Sequence, residues 1–259
     1  MSTTVETSGQ AAPLGGAGFG ELRLGVVCPM ANESDSAVRF VDAVLAECGR
    51  YGFKSVALFV VVDTVSHDGT RELLEAHEAL QPQLRVIWAP ETRGVADAYV
   101  RGYREAVAAA SDWILEIDAG FSHDPAEMGK FFEALADGRD CVFGSRFREG
   151  GRNLGTLRRR GISRGGTALA NLLLGTRLSD MTSGYELFTR ETLEAVLAKG
   201  ISSKGPFFQT EVKAYCRNLR CAEIPIQYNA GNHNIGARAI AESLLNLGRL
   251  LRRRIAGDL

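Results

Sequence analysis

The sequence predicts an α/β protein with a mostly parallel sheet flanked by helices and a helical C-terminal portion. Three observations carry that expectation. Through residue 145, apolar runs of strand length alternate with amphipathic stretches, the pattern of β-α-β units with right-handed crossovers. Several of those runs are apolar at nearly every position, as strands covered on both faces are. Each run then breaks into a polar turn, which places chemistry along the edge where open α/β sheets bind ligands.

The elements follow in order. Residues 1–20, rich in Gly, Ala, Thr and Ser, read as a mobile N-terminal leader. Leu22–Cys28 is a short strand ending at Pro29. Ser34 or Asp35 can cap a helix to about Arg50, with Val38, Val41, Leu45 and Cys48 on one face. Val56–Val62 is a strand of the doubly buried kind, followed by the turn Asp63 to Thr70 and a helix to about Ala79. Leu84–Trp88 is a third strand, and a helix from about Gly94 to Ala110 precedes a strand at 113–117. A helix from Pro125 to about Ala136 and a strand at 140–144 complete this half. Residues 146–162 are Gly- and Arg-rich and read as a loop over the sheet edge. Helices are expected at 163–174, 189–199 and 206–218. A strand at 222–228 contains Pro225, which lacks an N–H for the ladder and so belongs at an edge. A last amphipathic helix lies within 238–259, with Ile240, Leu244, Leu247 and Leu251 in a stripe.

Composition narrows the function. The net charge of −1 conceals seven arginines and one acid between Arg146 and Arg164, with Arg249, Arg252, Arg253 and Arg254 near the end. Such patches suit phosphate, diphosphate or anionic lipid, or else form a solvated basic face. Five cysteines are scattered, without metal-ligand spacing, which fits a reducing cytoplasm. No run approaches the roughly 18 apolar residues of a membrane span, and no apolar signal core is present. A cytoplasmic protein is expected, soluble or peripheral at the membrane. The last helix, through 239–255, either lies on an anionic surface or packs against its own domain or a partner copy in a homodimer. No phosphate-loop, nucleophile-elbow, zinc or nucleic-acid-binding motif occurs, so nucleic acid is not an expected partner.

The strand ends hold the candidate site. Asn32 and Glu33, after Pro29, either bond a nucleobase edge or cap the next helix. Asp63 closes the second strand, to bind a base or ribose or to make an Asx-turn. Asp118 stands at the end of Trp113-Ile-Leu-Glu-Ile, where a divalent cation bridging a diphosphate could be held, because Mg²⁺ takes one or two carboxylates plus phosphate oxygens. A second acid two residues on would complete an Asp-x-Asp pair, but the chain has Ala119-Gly120. Asp124 is better read as a helix cap than as a replacement ligand. His123 is a metal ligand or a structural histidine. Arg146, in Gly144-Ser145-Arg146, can grip phosphate in bidentate fashion. Asp180, in Asp-Met-Thr-Ser-Gly-Tyr, shapes the acceptor side or caps a turn. Lys204, before a helix carrying Gln209 and Glu211, can bind an anion.

In this order and spacing, these segments resemble family 2 glycosyltransferases of the GT-A fold, a Rossmann-like architecture. Within that family they are most similar to the dolichyl- or polyprenyl-phosphate mannose synthases. The matching pieces are Asn32-Glu33, Val62-Asp63 to Thr70, Gly94 to Gly102, Asp118-Ala119 to Pro125, Gly144-Ser-Arg146, Gly150-Gly151, Asp180 to Gly184, Ser203-Lys-Gly205 to Glu211, and Glu223 to Ile226. The resemblance implies a glycosyltransferase domain over 21–237, with a nucleotide-sugar half at 21–145 and an acceptor half at 146–237. It implies inverting transfer of a sugar from a nucleoside diphosphate donor to a lipid-phosphate or small-molecule acceptor. Pro29, Asn32, Glu33, Asp63, Gly94, Asp118, Ala119, Gly120, Arg146 and Lys204 would bind the donor. Asp118 and Arg146 would act at the diphosphate, with Asp118 as the metal ligand for Mg²⁺ or Mn²⁺. A phosphate acceptor needs little base help, whereas a hydroxyl acceptor needs one, and Asp180 is then the candidate.

Three departures qualify this picture. The paired acids at the second strand end are Asp63-Thr64 here, with Val65 in place of the family's glycine. The Asp-x-Asp pair is Asp118-Ala-Gly120. The family's basic motif after the late strand is absent from Gly231 to Ala237. Losing one carboxylate predicts weak metal binding, or metal-free turnover in which Arg146 and the 158–160 arginines stabilise the leaving diphosphate. A catalytically silent nucleotide-sugar-binding regulatory subunit is the contrasting expectation.

Overall fold

The structure is a computed structural model that describes residues 19–229 and 236–259. Its elements in chain order are β1 (Arg23–Pro29), α1 (Ala37–Cys48), β2 (Ser55–Val62), α2 (Thr70–Glu78), β3 (Leu84–Trp88), α3 (Val95–Ala108), β4 (Trp113–Glu116), α4 (Met128–Ala136) and β5 (Cys141–Ser145). They continue with β6 (Arg152–Asn153), α5 (Leu157–Leu174), β7 (Glu186–Thr189), α6 (Arg190–Lys199), α7 (Phe208–Tyr215), β8 (Cys221–Pro225), β9 (Gln227–Tyr228) and α8 (Ala237–Ile255).

The central sheet runs β3-β2-β1-β4-β7-β5-β8. Strands β1 to β4 are parallel where they pair, β5 and β8 are parallel, and β7 is antiparallel to both of its neighbours. One reversed strand in the middle therefore leaves β4 and β5 pointing the same way. The C-terminal ends of β1, β2, β4 and β5 share one edge. This is the expected α/β architecture with a mostly parallel sheet flanked by helices.

Alternation along each strand divides the core. Leu24, Val26 and Cys28 of β1, with Leu115 of β4 and Val142 of β5, pack against α1 and α4. Val27, Ile114, Phe143 and Phe188 face the other side, against α3, α7 and α8. Helix α3 lies close to the sheet at Gly102, where a Cβ would stand 2.3 Å from a Val27 methyl. That proximity carries Tyr99, three residues earlier, to the sheet edge.

Four boundaries differ from expectation. Phe19 belongs to the domain rather than to a leader, because its ring stacks on Phe53 at 4.9 Å; residues 1–18 lie outside the described residues. The segment 146–162 is only partly loop. Thr156 caps α5 through its side chain, so the helix starts six residues before position 163. Glu186–Thr189 is a strand where no element was expected before the helix at 189–199. The expected strand 222–228 is split, with β8 at the sheet edge, as Pro225 predicted, and β9 paired with β6 in a separate ribbon. Cysteines distant in sequence also converge: Cys141 and Cys221 face each other across β5 and β8.

Candidate active site

The first three strand ends form one connected surface. Asn32 adopts the left-handed region (φ 57°), which Asn tolerates better than most residues. Its side chain ties the loop after β1 to the loop after β2: Nδ2 donates to the Val65 carbonyl and Oδ1 accepts from the His67 amide. Glu33 donates its amide to Thr70 Oγ1 at 2.8 Å. Asp63 makes the Asx-turn, accepting from the Val65 amide at 2.9 Å, and its other oxygen accepts from Thr92 Oγ1 at 3.1 Å. The Asp68 turn closes on Thr70 and the Ser34 amide.

Asp118 follows β4 directly. Oδ1 accepts from the Tyr99 hydroxyl at 2.6 Å, and Oδ2 lies 3.6 Å from His123 Nδ1. Its side chain remains 38 % exposed. The Tyr99 phenol is pushed well up by burial and by the Asp118 charge, so it acts as a donor. His123 is buried between the rings of Tyr185 and Tyr228. Burial lowers its pKa to about 4, which keeps the imidazole neutral. Nδ1 accepts from the Asp118 amide, so the proton sits on Nε2. That Nε2 donor is buried without a partner among the described residues. Asp124 caps the turn after it, accepting from the Ala126 amide at 2.9 Å.

Arg146, immediately after β5, is gripped by Asp180. Nε and Nη2 donate to the two Asp180 oxygens at 2.7 and 2.8 Å, and the Arg146 amide donates to Oδ2 at 3.1 Å. Nη2 also donates to Thr182 Oγ1. Burial works against charge in both groups, but the hydrogen bonds and mutual attraction win. The guanidinium is held above its usual range and the Asp180 carboxyl below its own. Glu223 of β8 fixes this loop by accepting from the Ser179 and Asp180 amides. Asp180 is fully buried, with both oxygens engaged by Arg146 and Thr182. A general base must reach its proton, and in this geometry both Asp180 oxygens are already taken up by Arg146 and Thr182. The same pairing neutralises Arg146 before any ligand arrives, which weakens the expectation that Arg146 replaces a metal.

Beneath Asp118 lies a buried polar layer. Glu116 of β4 stands opposite Glu186 of β7. Gln209 Nε2 donates to Glu116 at 2.5 Å, and Lys213 Nζ donates to Glu186 and to the Ser183 carbonyl. Burial and the neighbouring Glu186 push Glu116 well up; burial, partly offset by Lys213, raises Glu186 to about 7.

A cavity of about 470 Å³ opens above this floor. Asp118, His123, Arg146, Arg159 and Tyr228 line its polar end, while Phe207, Phe208, Leu169 of α5 and Ile240, Leu244 and Leu247 of α8 line the rest. Gly94 and Lys204 stand aside from it: the Lys204 carbonyl lies 3.2 Å from a Cβ built at Gly94, and Lys204 Nζ pairs with Asp97 at 2.8 Å. Part of the stripe on α8 is used within the chain. Leu247 is buried in the core, as is Leu250 beside the stripe, and Ile240 and the half-exposed Leu244 form cavity wall.

The sequence profile of Glycosyl transferase family 2 matches residues 25–197, most of the region just described. The chain belongs to this family. It is a glycosyltransferase of the GT-A fold. Among its relatives, the undecaprenyl-phosphate mannosyltransferase of Micrococcus luteus is 31% identical over 196 residues, covering 73% of this chain and 80% of that protein. The polyprenol monophosphomannose synthase of Mycolicibacterium smegmatis is 29% identical over 208 residues, covering 78% of this chain and 76% of that one. Among solved structures, glucosyl-3-phosphoglycerate synthase from Mycobacterium tuberculosis, in complex with Mn²⁺, UDP-glucose and phosphoglyceric acid, superposes with a TM-score of 0.63 at 20% identity. The match covers 88% of this chain and 80% of that one.

One residue beside Arg146 was not singled out from the sequence: Tyr228 reaches it from a segment far away in the chain, and no local pattern marks it. Thr182 lay within the Asp180 to Gly184 segment, and only the fold brings its hydroxyl to Arg146. Tyr99 lay within the matching segment Gly94 to Gly102, but it shares its helical face with Tyr103 and Ala106, so its spacing reads as core and gave no hint of the bond to Asp118.

Proposed function

We propose that this glycosyltransferase moves a sugar, with inversion, from a nucleoside diphosphate donor to a polyprenyl phosphate. The observation that carries the reading is the cavity, whose polar end at Asp118 and Arg146 continues into an apolar wall made by α5, α7 and α8. An isoprenyl phosphate has that same division: an anionic head and an apolar tail. The two named relatives support the acceptor class.

The donor nucleoside lies along Pro29, Asn32, Glu33 and Asp63, and its diphosphate reaches Asp118, Ala119 and Gly120. Arg146, aimed by Asp180 and Thr182, meets phosphate at the boundary between donor and acceptor. Gly94 and Lys204 close the donor side as a backbone contact rather than as a charge. An acceptor phosphate oxygen attacks the anomeric carbon from the face opposite the diphosphate, and the bond to the leaving oxygen breaks. The acceptor is already an anion, so no residue has to remove a proton. This agrees with the burial of Asp180.

The residues present fit a divalent cation. Asp118 keeps a partly exposed carboxylate at the strand end, the kind of oxygen ligand that Mg²⁺ or Mn²⁺ takes together with diphosphate oxygens. When bound, such a cation would offset the charge gathering on the leaving diphosphate. The face of α8 turned away from the core exposes Leu245 and Ile255, with Arg252 nearby, and we propose that it meets an anionic membrane where the lipid acceptor resides. Among the described residues no helix is long and apolar enough to cross a membrane.

The test is transfer by the purified protein from UDP-, GDP- and dTDP-sugars to undecaprenyl phosphate in micelles, with the product anomer assigned by NMR. Transfer with inversion is expected. Tight donor binding without transfer to lipid phosphate or hydrolysis would overturn the reading in favour of a silent binding subunit.

A further inference from the structure

Strands β5 and β8 each begin with a cysteine. They run parallel at one end of the sheet, and their register sets Cys141 directly opposite Cys221. Paired positions share a face of the sheet, and the two sulfurs stand 3.0 Å apart. Neighbouring strands lie about 4.8 Å apart, inside the roughly 4.4–6.8 Å between Cα atoms that a disulfide spans. Closing the sulfurs to a bond length of about 2.05 Å therefore asks for a side-chain movement of about 1 Å, with the ladder left in place.

The two thiols are not equivalent. Cys141 is buried, whereas Cys221 is partly exposed. The Cys221 S–H donates to the Cys216 carbonyl at 3.3 Å, which leaves the Cys141 S–H to donate to Cys221. That hydrogen bond lowers the pKa of Cys221, while hydrogen bonds to Cys216 and Cys221 raise that of Cys141. The thiolate therefore forms on the sulfur that solvent reaches, with a second sulfur in contact behind it, as in pairs of an attacking and a resolving thiol. Glycosyl transfer uses neither group, because the pair sits at the opposite end of β5 from Arg146. What the pair can affect is the edge of the sheet. Strand β8 is the last in the order and has one neighbour, β5, yet it carries Glu223, which holds the Ser179 and Asp180 amides of the loop that grips Arg146.

We propose that Cys141 and Cys221 form a dithiol site that a small disulfide of the glutathione class converts reversibly into a bridge tying β8 to β5. The Cys221 thiolate attacks one sulfur of glutathione disulfide, and a glutathione thiolate leaves. Cys141 gives up its proton and attacks the Cys221 sulfur of the mixed disulfide, and the second glutathione thiolate leaves. Two protein thiols are oxidised, one small disulfide is reduced to two thiols, and the two protons end on those leaving groups. The bridge joins positions 80 apart in the chain and opposes fraying of the edge strand that carries Glu223.

The test equilibrates the folded full-length protein with reduced and oxidised glutathione, blocks the remaining thiols by alkylation, and reads intact mass, peptide map and melting temperature. With oxidised glutathione in excess, two of the five thiols should be lost and the peptides containing Cys141 and Cys221 joined. The melting temperature should rise by roughly 5–15 °C and return to its starting value in dithiothreitol. The Cys221→Ser variant, altered at the partly exposed position, should keep its four thiols and show no rise. Five free thiols in the wild type overturn the proposal. So do a bridge that uses Cys216 in place of either partner, a glutathione adduct that stays on Cys221, and a bridge that leaves the melting temperature where it was.

Discussion

Replacing Asp180 by Asn separates two roles that a carboxylate near an acceptor site can have. Asp180 is fully buried and makes a bidentate pair with Arg146, whose side chain is 5 % exposed. Asn keeps the shape and one acceptor but leaves the guanidinium buried without a counter-charge. Breaking such a pair by removing one partner costs about 3–5 kcal/mol. At roughly 2–4 °C per kcal/mol for a domain of this size, the melting temperature should fall by on the order of 10 °C. Because Arg146 holds the Asp180 carboxyl below its usual range, this stabilisation is complete above the ordinary aspartate pKa and is lost as pH falls through the folded value. Asp180→Asn should therefore flatten the acid limb of the wild-type stability curve. Urea unfolding across pH 3–8 reads both effects. The apolar double variant Arg146→Met/Asp180→Leu should regain most of the stability while losing affinity for the donor. If Asp180→Asn instead melts like the wild type yet loses turnover, and the low-pH limb of kcat/KM disappears with it, Asp180 is a base and the positioning argument fails.

Three further outcomes follow from other parts of the structure. Glu116 is pushed well above its ordinary value by burial and by Glu186, so its protonated form is the stable one. Stability should decline as pH rises above about 4.5, and Glu116→Gln, which mimics that form and can pair with the orphan Gln209 oxygen, should remove part of this loss; a parallel pH profile for the variant would refute it. Gly102→Ala forces a methyl to within 2.3 Å of Val27 and should destabilise by about 1–3 kcal/mol in denaturant unfolding, with Tyr99 displaced from Asp118; an unchanged midpoint would show that α3 can slide. Ile240→Asp puts a charge into the apolar cavity wall and should raise KM for the lipid phosphate at least tenfold, with nucleotide binding intact. Equal KM values would move the acceptor tail elsewhere.

How much of this was legible depends on whether the cause was local. Asn32, Asp63, Asp118 and Arg146 each end a strand that reads as a strand on its own, and one parallel direction then puts them on one edge. β7 has no such local signature. Its four residues, Glu-Leu-Phe-Thr, include a charged one, and Glu186 is tolerated in the sheet only because Lys213, twenty-seven positions later, comes down on it from α7. Without β7 there is no account of why β4 and β5 run the same way with a strand between them, so the distance from Asp118 to Arg146 was open. Asp180 stands out in the sequence as an acid in a glycine-bearing turn, but its partner lies thirty-four positions earlier and only folding brings the two together.

Gly120 shows the same limit from the other side. In the sequence it is the absence of an acid and counts against metal binding. In the fold a Cβ at this position would stand 2.8 Å from a Glu33 carboxylate oxygen, and that loop is near only because β1 and β4 are neighbours in the sheet. A motif records which residues are adjacent in the chain, whereas a cation responds to which oxygens are adjacent in space.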